Sequence, residues 1–326
     1  MRAPEKHMRV GAIDIGSNSV RLLVADVELG GGDHGKVVAV ARAGEACRLA
    51  RGLERTRVID PEIAQRAGQI VEEFARRARS LGAANILMGA TAALRGADNS
   101  GDVTRLLEAS SGLALRILSG DDEARLTYRA VVAGLGTAAQ RSPCVVFDIG
   151  GGSTEVVSGV GEQAGRWTSL PFGAVSLTER FILSDPPKPA HAEALREHVR
   201  DVLMRECAYL PQRAPLFAGV GGTITLLAGL DREIQSYDPA LLEGHRIPLD
   251  RLHRLIDRLV QSNHSERRSW PIMGEGRADI VVAGALAVGV LAERFPSEQL
   301  ICSTQGLRYG LARLAAEEHS EGRREP

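Results

Sequence analysis

Asp14-Ile15-Gly16-Ser17-Asn18-Ser19 recurs as Asp148-Ile149-Gly150-Gly151-Gly152-Ser153-Thr154. Each copy ends an apolar run, Val10–Ile13 and Val145–Phe147, and each precedes a second β-rich run, 20–27 and 155–160. The copies stand 134 residues apart, from Asp14 to Asp148, close to half of the 326-residue chain. This spacing predicts an internal duplication of strand, acidic residue, Gly/Ser turn and strand. A Gly/Ser turn between strands lets backbone N–H groups converge on an anion, with hydroxyls to help. A carboxylate at the strand end stands beside that anion and suits Mg²⁺, directly or through water. Two such loops facing each other would hold a phosphate chain from both sides.

The rest of the chain narrows the chemistry. No Gly-rich segment ends in Gly-Lys-Ser/Thr, and Lys6, Lys36 and Lys188 are the only lysines, so a Walker loop is excluded. A net charge of −1 argues against a nucleic-acid binder and confines any polyanion site to a local cleft. Apolar content of 44% and charged content of 25% fit a globular protein with room for two domains. Cys47, Cys144, Cys207 and Cys302 lie far apart with no Cys-x-x-Cys, which predicts reduced structural thiols and a cytoplasmic location. Residues 1–9 are charged and lack an apolar signal core. The longest apolar stretch, 280–292, is too short for a bilayer and predicts a buried helix, so no membrane partner is expected.

Read in order, the first half gives strands at 9–15, 20–27 and 36–43. A helix follows at 61–80, with Asp60 as cap and Pro61 at its first position. A strand at 85–90, a helix at 102–110, a strand at 113–118 and a helix from Ser119 to about Val132 complete it. Ser119 and Asp122 have capping-box spacing. The second half repeats the opening with strands at 144–149, 155–160 and 166–170. Helices at 190–208, 222–230, 249–261, 277–293 and 307–317 then alternate with strands at 216–220 and 299–302. The pattern predicts an α/β protein with a mixed five-stranded sheet flanked by helices in each half. The expected domains are 8–127 and 128–316, with the closing helix packing on the first, and a polar tail at 317–326.

Three further places bear on chemistry. Glu123 stands in the first turn of a helix, where N–H groups favour an ionised carboxylate, and reads either as a dipole partner or as a base. Arg95, in Ala90-Thr91-Ala92-Ala93-Leu94-Arg95, follows a strand end within reach of a phosphate. Gly221-Gly222-Thr223 opens a helix, a third candidate for an anion. His191 and His198 share a helix without a Cys or carboxylate set that would suggest zinc.

These segments, with Leu118-Ser119-Gly120-Asp121-Asp122-Glu123-Ala124, Glu155 after the second turn, Arg277-Ala278-Asp279 and Gly306-Leu307-Arg308-Tyr309-Gly310, occur in one order along the chain. Together they resemble the exopolyphosphatase / guanosine pentaphosphate phosphohydrolase family, over about residues 8–316. The resemblance implies two actin-like (ribonuclease H-like) domains with the active site in the cleft between them. It implies Asp14 and Asp148 as carboxylates associated with Mg²⁺, for which Mn²⁺ can substitute. It implies phosphate clamps at Gly16, Ser17, Asn18 and Ser19 and at Gly150, Gly151, Gly152, Ser153 and Thr154. Arg95 then contacts phosphate, Glu155 stands near the nucleophilic water, and Glu123 is the general base. The family pattern Glu-Glu-Ala reads Asp122-Glu123-Ala124 here, which keeps the base and shortens its neighbour.

The expected activity is a phosphoanhydride hydrolase that releases orthophosphate from inorganic polyphosphate, with guanosine pentaphosphate as the alternative substrate. A kinase of the same superfamily and a non-catalytic binder of polyphosphate or alarmones are the rivals; the intact Asp14, Asp148 and Glu123 speak against the binder. Longer relatives carry an added C-terminal region that this chain lacks, which predicts a preference for short substrates. Oligomeric state is open, a homodimer included.

Overall fold

The structure is a computed structural model that describes residues 6–29, 36–273 and 276–322. The first five residues and the last four of the expected polar tail lie outside the described residues. The chain divides into two compact units: residues up to Ala130 together with those from Leu307 on, and Val131–Gly306.

Unit 1 contains β1 (Lys6–Ile15), β2 (Ser19–Leu29), β3 (Val37–Ala46), α1 (Leu53–Thr56), α2 (Pro61–Ser80), β4 (Asn85–Ala90), α3 (Ala92–Gly96), α4 (Ser100–Ser111), β5 (Leu115–Ile117) and most of α5 (Gly120–Leu135). Unit 2 continues with α6 (Thr137–Arg141), β6 (Pro143–Ile149), β7 (Thr154–Val160), β8 (Gln163–Leu170), α7 (Ala174–Phe181), α8 (Pro189–Glu206), β9 (Leu216–Val220), α9 (Gly222–Asp231), α10 (Pro239–Leu242), β10 (Arg246–Pro248), α11 (Leu249–Gln261), α12 (His264–Arg268), α13 (Val281–Arg294) and β11 (Gln299–Cys302). The closing helix α14 (Leu307–Gly322) returns to unit 1.

The sheet of unit 1 runs β3-β2-β1-β4-β5. Its first three strands are antiparallel, and β4 and β5 join in parallel. Unit 2 repeats this as β8-β7-β6-β9-β11 with the same directions. The registers also repeat: Asp14 faces Arg21 and Ile15 faces Val20, while Asp148 faces Glu155 and Ile149 faces Thr154. The duplication read from the two turns is therefore a duplication of the whole sheet core.

Unit 2 departs from the expected five strands by a sixth. β10 pairs antiparallel with β11 at the outer edge. It is three residues long and ends at Pro248, too short for an alternating pattern to announce it. Pro suits such an edge because it cannot donate to a further ladder bond.

Two helices hold the cores. In α13 every residue from Val281 to Ala292 is buried, which explains why the stretch is hydrophobic all round. It packs against α7, α8, α9 and α11, as the expected buried helix should. Phe147 and Phe217 stack with ring centroids 4.8 Å apart in the same core. In unit 1, α14 lies against β1, β2 and β4 and buries Leu307, Tyr309, Leu311, Ala312, Ala315 and Ala316. Gly310 is required there, since a Cβ would lie 2.5 Å from the Leu126 carbonyl oxygen. The α2 start matches its sequence reading: the Asp60 carboxylate accepts from the Glu62 N–H at 2.8 Å, with Pro61 at the first helical position. All four cysteines are free and buried. Among the described residues, no helix is long and apolar enough to cross a membrane.

Candidate active site

Parallel strands place the turns that follow them along one edge of a sheet, the usual home of ligands in α/β folds. In unit 1 the turns after β1, β4 and β5 carry Asp14 with Gly16–Ser19, Arg95, and Glu123. Thr91 N–H donates to Ile15 O at 3.3 Å and Leu118 N–H to Ala90 O at 2.9 Å, which locks the three turns side by side.

The first turn closes with Gly16 N–H on Ser19 O at 3.1 Å. Its outer carbonyls are held from behind: Ser17 O accepts from Ala50 N–H at 2.9 Å, and Asn18 O accepts from Cys47 and Arg48 N–H at 3.1 and 2.9 Å. A planar trans peptide points its N–H opposite to its C=O. The N–H groups of Asn18 and Ser19 therefore face away from residues 47–50, as an anion-binding turn requires. Asp14 ends β1 beside this turn. Burial pushes its carboxyl above the ordinary aspartate range, against the opposing pull of Arg21 and Arg308.

Three acidic residues occupy the first turn of α5. Asp121 and Asp122 are exposed, whereas Glu123 is only 6% exposed. The Ser119 hydroxyl caps the helix by accepting from Asp122 N–H at 3.1 Å, and it donates to the Asp122 carboxylate at 2.7 Å, so Asp122 is taken up by the cap. Glu123 Oε2 instead accepts from Arg95 Nη1 at 3.1 Å, and the same Nη1 donates to Leu118 O at 2.8 Å. The two residues singled out separately in the sequence thus form one half-buried pair.

Unit 2 builds its own set. Gly150 N–H closes on Ser153 O at 3.0 Å. Here the start of α7 supplies the support: Ala174 N–H donates to Gly150 O and Val175 N–H to Gly151 O, both at 2.8 Å. The N–H groups of Gly151 and Gly152 accordingly face away from α7. Gly173 permits the approach, because a Cβ would lie 2.6 Å from Gly150 O. Asp148 ends β6, and its Oδ1 packs against Gly221, where a Cβ would lie 2.7 Å away. Gly221 has φ 102°, a conformation that side chains disfavour, and it caps α9 ahead of Gly222 and Thr223. Glu155, 2% exposed, accepts from the Ser169 hydroxyl at 2.8 Å. Thr154 differs from its expected role. Its hydroxyl is fully buried and donates to Phe172 O at 2.8 Å, so it serves the fold.

One residue beyond the expected set joins unit 2. The Arg277 guanidinium packs against Gly222, the first residue of α9. Arg277-Ala278-Asp279 was visible as a motif, but nothing local assigned it a place. Its segment is fixed by distant groups: buried Arg267 donates to Ala278 O at 2.9 Å and to Asp185 Oδ1 at 2.7 Å, and His264 Nε2 meets Asp279 Oδ1 at 2.6 Å. Among the described residues, no group of three or more His, Cys, Asp or Glu could hold a metal ion. Asp14 and Asp148 are each, within their own unit, a carboxylate beside a turn with outward N–H groups, a donor type that suits a hard cation completed by water and substrate phosphate.

The sequence profile of the Ppx/GppA phosphatase family matches residues 25–319. Exopolyphosphatase 2 of Mycobacterium tuberculosis is 35% identical over 316 residues, covering 93% of this chain and 97% of that one. Exopolyphosphatase 1 of Mycobacterium bovis is 32% identical over 321 residues, covering 97% and 90%. Among solved structures, the Ppx/GppA family member of Aquifex aeolicus superimposes with a TM-score of 0.80 at 29% identity, covering 97% of this chain and 99% of that one. Repeated sheet, paired Asp-Gly turns, sequence and solved relatives agree: the chain belongs to the Ppx/GppA phosphatase family.

Proposed function

We propose that this protein is an exopolyphosphatase: a phosphoanhydride hydrolase that takes inorganic polyphosphate and water and releases orthophosphate, shortening the chain by one unit. The observation that carries the reading is Glu123. It is the buried carboxylate among three in its turn, and Arg95 fixes its orientation. A pure anion-binding module has no use for a buried carboxylate among the turns that would bind the anion.

Phosphoryl transfer asks the protein mainly for positioning and charge stabilisation. The N–H groups of the turn 16–19 and the Arg95 guanidinium hold the terminal phosphoryl oxygens. Glu123 accepts a proton from the attacking water as the P–O bond to that water forms. The bond to the bridging oxygen breaks in line, and the shortened polyphosphate leaves on that oxygen. Unit 2 offers an anion-binding set of its own in the turn 150–153 and the α9 start with Arg277, and there Glu155 orders polar neighbours through Ser169. Asp14 and Asp148 are the residues that would hold Mg²⁺ or Mn²⁺, which when bound would neutralise charge on the phosphoryl oxygens.

The test is phosphate release from polyphosphate and, in parallel, from guanosine pentaphosphate, in Mg²⁺ and in excess chelator. Glu123→Gln should lower turnover by roughly 10²–10⁴-fold while leaving substrate binding nearly intact. A Glu123→Gln protein that keeps a tenth of wild-type turnover would remove it from the role. Release confined to guanosine pentaphosphate would reassign the substrate.

A further inference from the structure

Residues 48–57, Arg-Leu-Ala-Arg-Gly-Leu-Glu-Arg-Thr-Arg, carry four arginines in a chain whose net charge is −1. The segment is tied to the candidate site at both ends. At its start, Arg48 N–H donates to Asn18 O and Ala50 N–H to Ser17 O, so it forms the back of the first phosphate turn. At its end, Arg57 O accepts from Asp98 N–H at 2.8 Å, and Asn99 brackets Ile59 with two 2.9 Å bonds. Asp98 and Asn99 follow directly on α3, which carries Arg95. The arginine segment therefore bridges the turn that binds phosphate and the helix that presents Arg95.

Its backbone is unusual. Among the described residues, three that are not glycine have positive φ, and two of them are Arg48 at 57° and Arg57 at 55°. Such a conformation costs an ordinary side chain of order 1 kcal/mol and persists where surrounding structure enforces it, often at ligand sites. Buried Leu49 and Ala50 anchor the segment and supply that enforcement. Arg48, Arg51, Arg55 and Arg57 are all exposed. Arg57 meets Asp98 at 3.2 Å in an exposed pair of the kind worth little. Among the described residues, no carboxylate pairs with Arg51 or Arg55. An exposed arginine fork left open suits bidentate contact with phosphate oxygens.

We propose that residues 48–57 form a distal subsite for the polyphosphate chain, in which Arg51 and Arg55 bind phosphate units beyond those held at Gly16–Ser19. The proposal rests on the polyphosphatase reading above. It predicts, against the preference for short substrates expected from the sequence, an affinity that grows with chain length: each added phosphate–arginine contact displaces counterions, so binding strengthens with length and weakens with salt.

The experiment compares the full-length wild type with Arg51→Gln/Arg55→Gln and with Arg51→Lys/Arg55→Lys. Binding of tripolyphosphate and of long-chain polyphosphate is titrated over a salt series in chelator, and phosphate release is then followed in Mg²⁺. In the glutamine variant, affinity for long chains should fall about tenfold and the log–log salt slope should become shallower by about one to two. Binding and hydrolysis of tripolyphosphate should stay within about twofold of wild type, because the first turn itself is untouched. The lysine variant should recover most of the salt slope, since it keeps the charge. Unchanged long-chain affinity in the glutamine variant would overturn the subsite. So would equal losses on both lengths, which would mean the segment only braces the turn. Wild type that binds long chains in this manner but releases no phosphate would sink the hydrolase reading and leave the subsite standing.

Discussion

In unit 1 the turn after β1 closes Gly16 on Ser19 at 3.1 Å; in unit 2 the turn after β6 closes Gly150 on Ser153 at 3.0 Å. The closing bonds match, and the surroundings do not. Ser17 and Asn18 stand where unit 2 has Gly151 and Gly152. Irregular chain at 47–50 braces the first turn, and the start of a helix braces the second. Opposite the two aspartates the sheet registers place residues of opposite sign, Arg21 facing Asp14 and Glu155 facing Asp148. After the fourth strand of each motif, Thr91 precedes α3 in unit 1, whereas Gly221 with φ 102° precedes α9 in unit 2. Duplication has kept the closing bond of the turn and redistributed the charges around it. The Arg95–Glu123 pair falls to unit 1, and the glycine-lined contact of a carboxylate with a helix start falls to unit 2.

The sharpest way to separate the two aspartates is to neutralise each. Asp14→Asn should cost turnover on the order of 10³-fold, the scale of losing several kcal/mol of charge stabilisation. It should also raise thermal stability in chelator at neutral pH. Burial raises the folded-state pKa of Asp14, so the fold favours its protonated form. That contribution is full below the ordinary aspartate pKa of about 4 and is lost as pH rises through the raised folded-state value. Asparagine is neutral throughout and escapes the loss, so its advantage should vanish near pH 3–4. Melting curves over a pH series check this; an Asp14→Asn protein less stable than wild type at pH 7 would break the argument.

Gly221→Ala probes what unit 2 alone possesses. The new methyl would lie 2.7 Å from Asp148 Oδ1 on a backbone that alanine disfavours. Strain of about 1–3 kcal/mol and a displaced Asp148 should follow, with turnover down by about 10–100-fold. Thr91→Ala, at the corresponding place in unit 1, should change stability by less than the Gly221 variant, since Thr91 makes no side-chain cap bond. Equal effects at the two positions would erase the contrast.

The smallest effect is expected from making the turns alike. Ser17→Gly/Asn18→Gly keeps the backbone carbonyls that residues 47–50 hold, and it removes only side-chain contacts. Turnover should fall by less than about thirtyfold, because the two neutral contacts, hydroxyl and amide, are each worth about 1 kcal/mol. A loss as large as that of Asp14→Asn would mean that side chains, and not N–H groups, do the gripping in unit 1.

Much of this architecture could be read from local sequence. The bounds of β4, β9, α11 and β11 coincide with the expected ones, and α2 with its Asp60 cap is as expected. α11 has a strong helical period, α2 has its cap, and the three strands are short apolar runs. What escaped depends on partners far along the chain. α7 exists where its N–H groups meet Gly150 and Gly151, more than twenty residues earlier. α13 begins at Val281 and not at Arg277, because the preceding turn is held by Arg267. The candidate site divides in the same way. Its Asp-Gly turns announce themselves, whereas the Arg95–Glu123 bond and the seat of Arg277 on Gly222 are products of tertiary structure.

The return of α14 to unit 1 has a consequence for synthesis. Unit 2 is inserted within unit 1, and every residue of it leaves the ribosome before Leu307. The first sheet is made early, yet the helix that covers β1, β2 and β4 with Tyr309, Leu311 and Ala312 is made late. A nascent chain that has reached Gly306 holds all of the second unit and an uncovered first one. The order of maturation is thus the reverse of the order of translation: the unit that starts first is finished last, and the half that carries Glu123 completes its core only with the final helix.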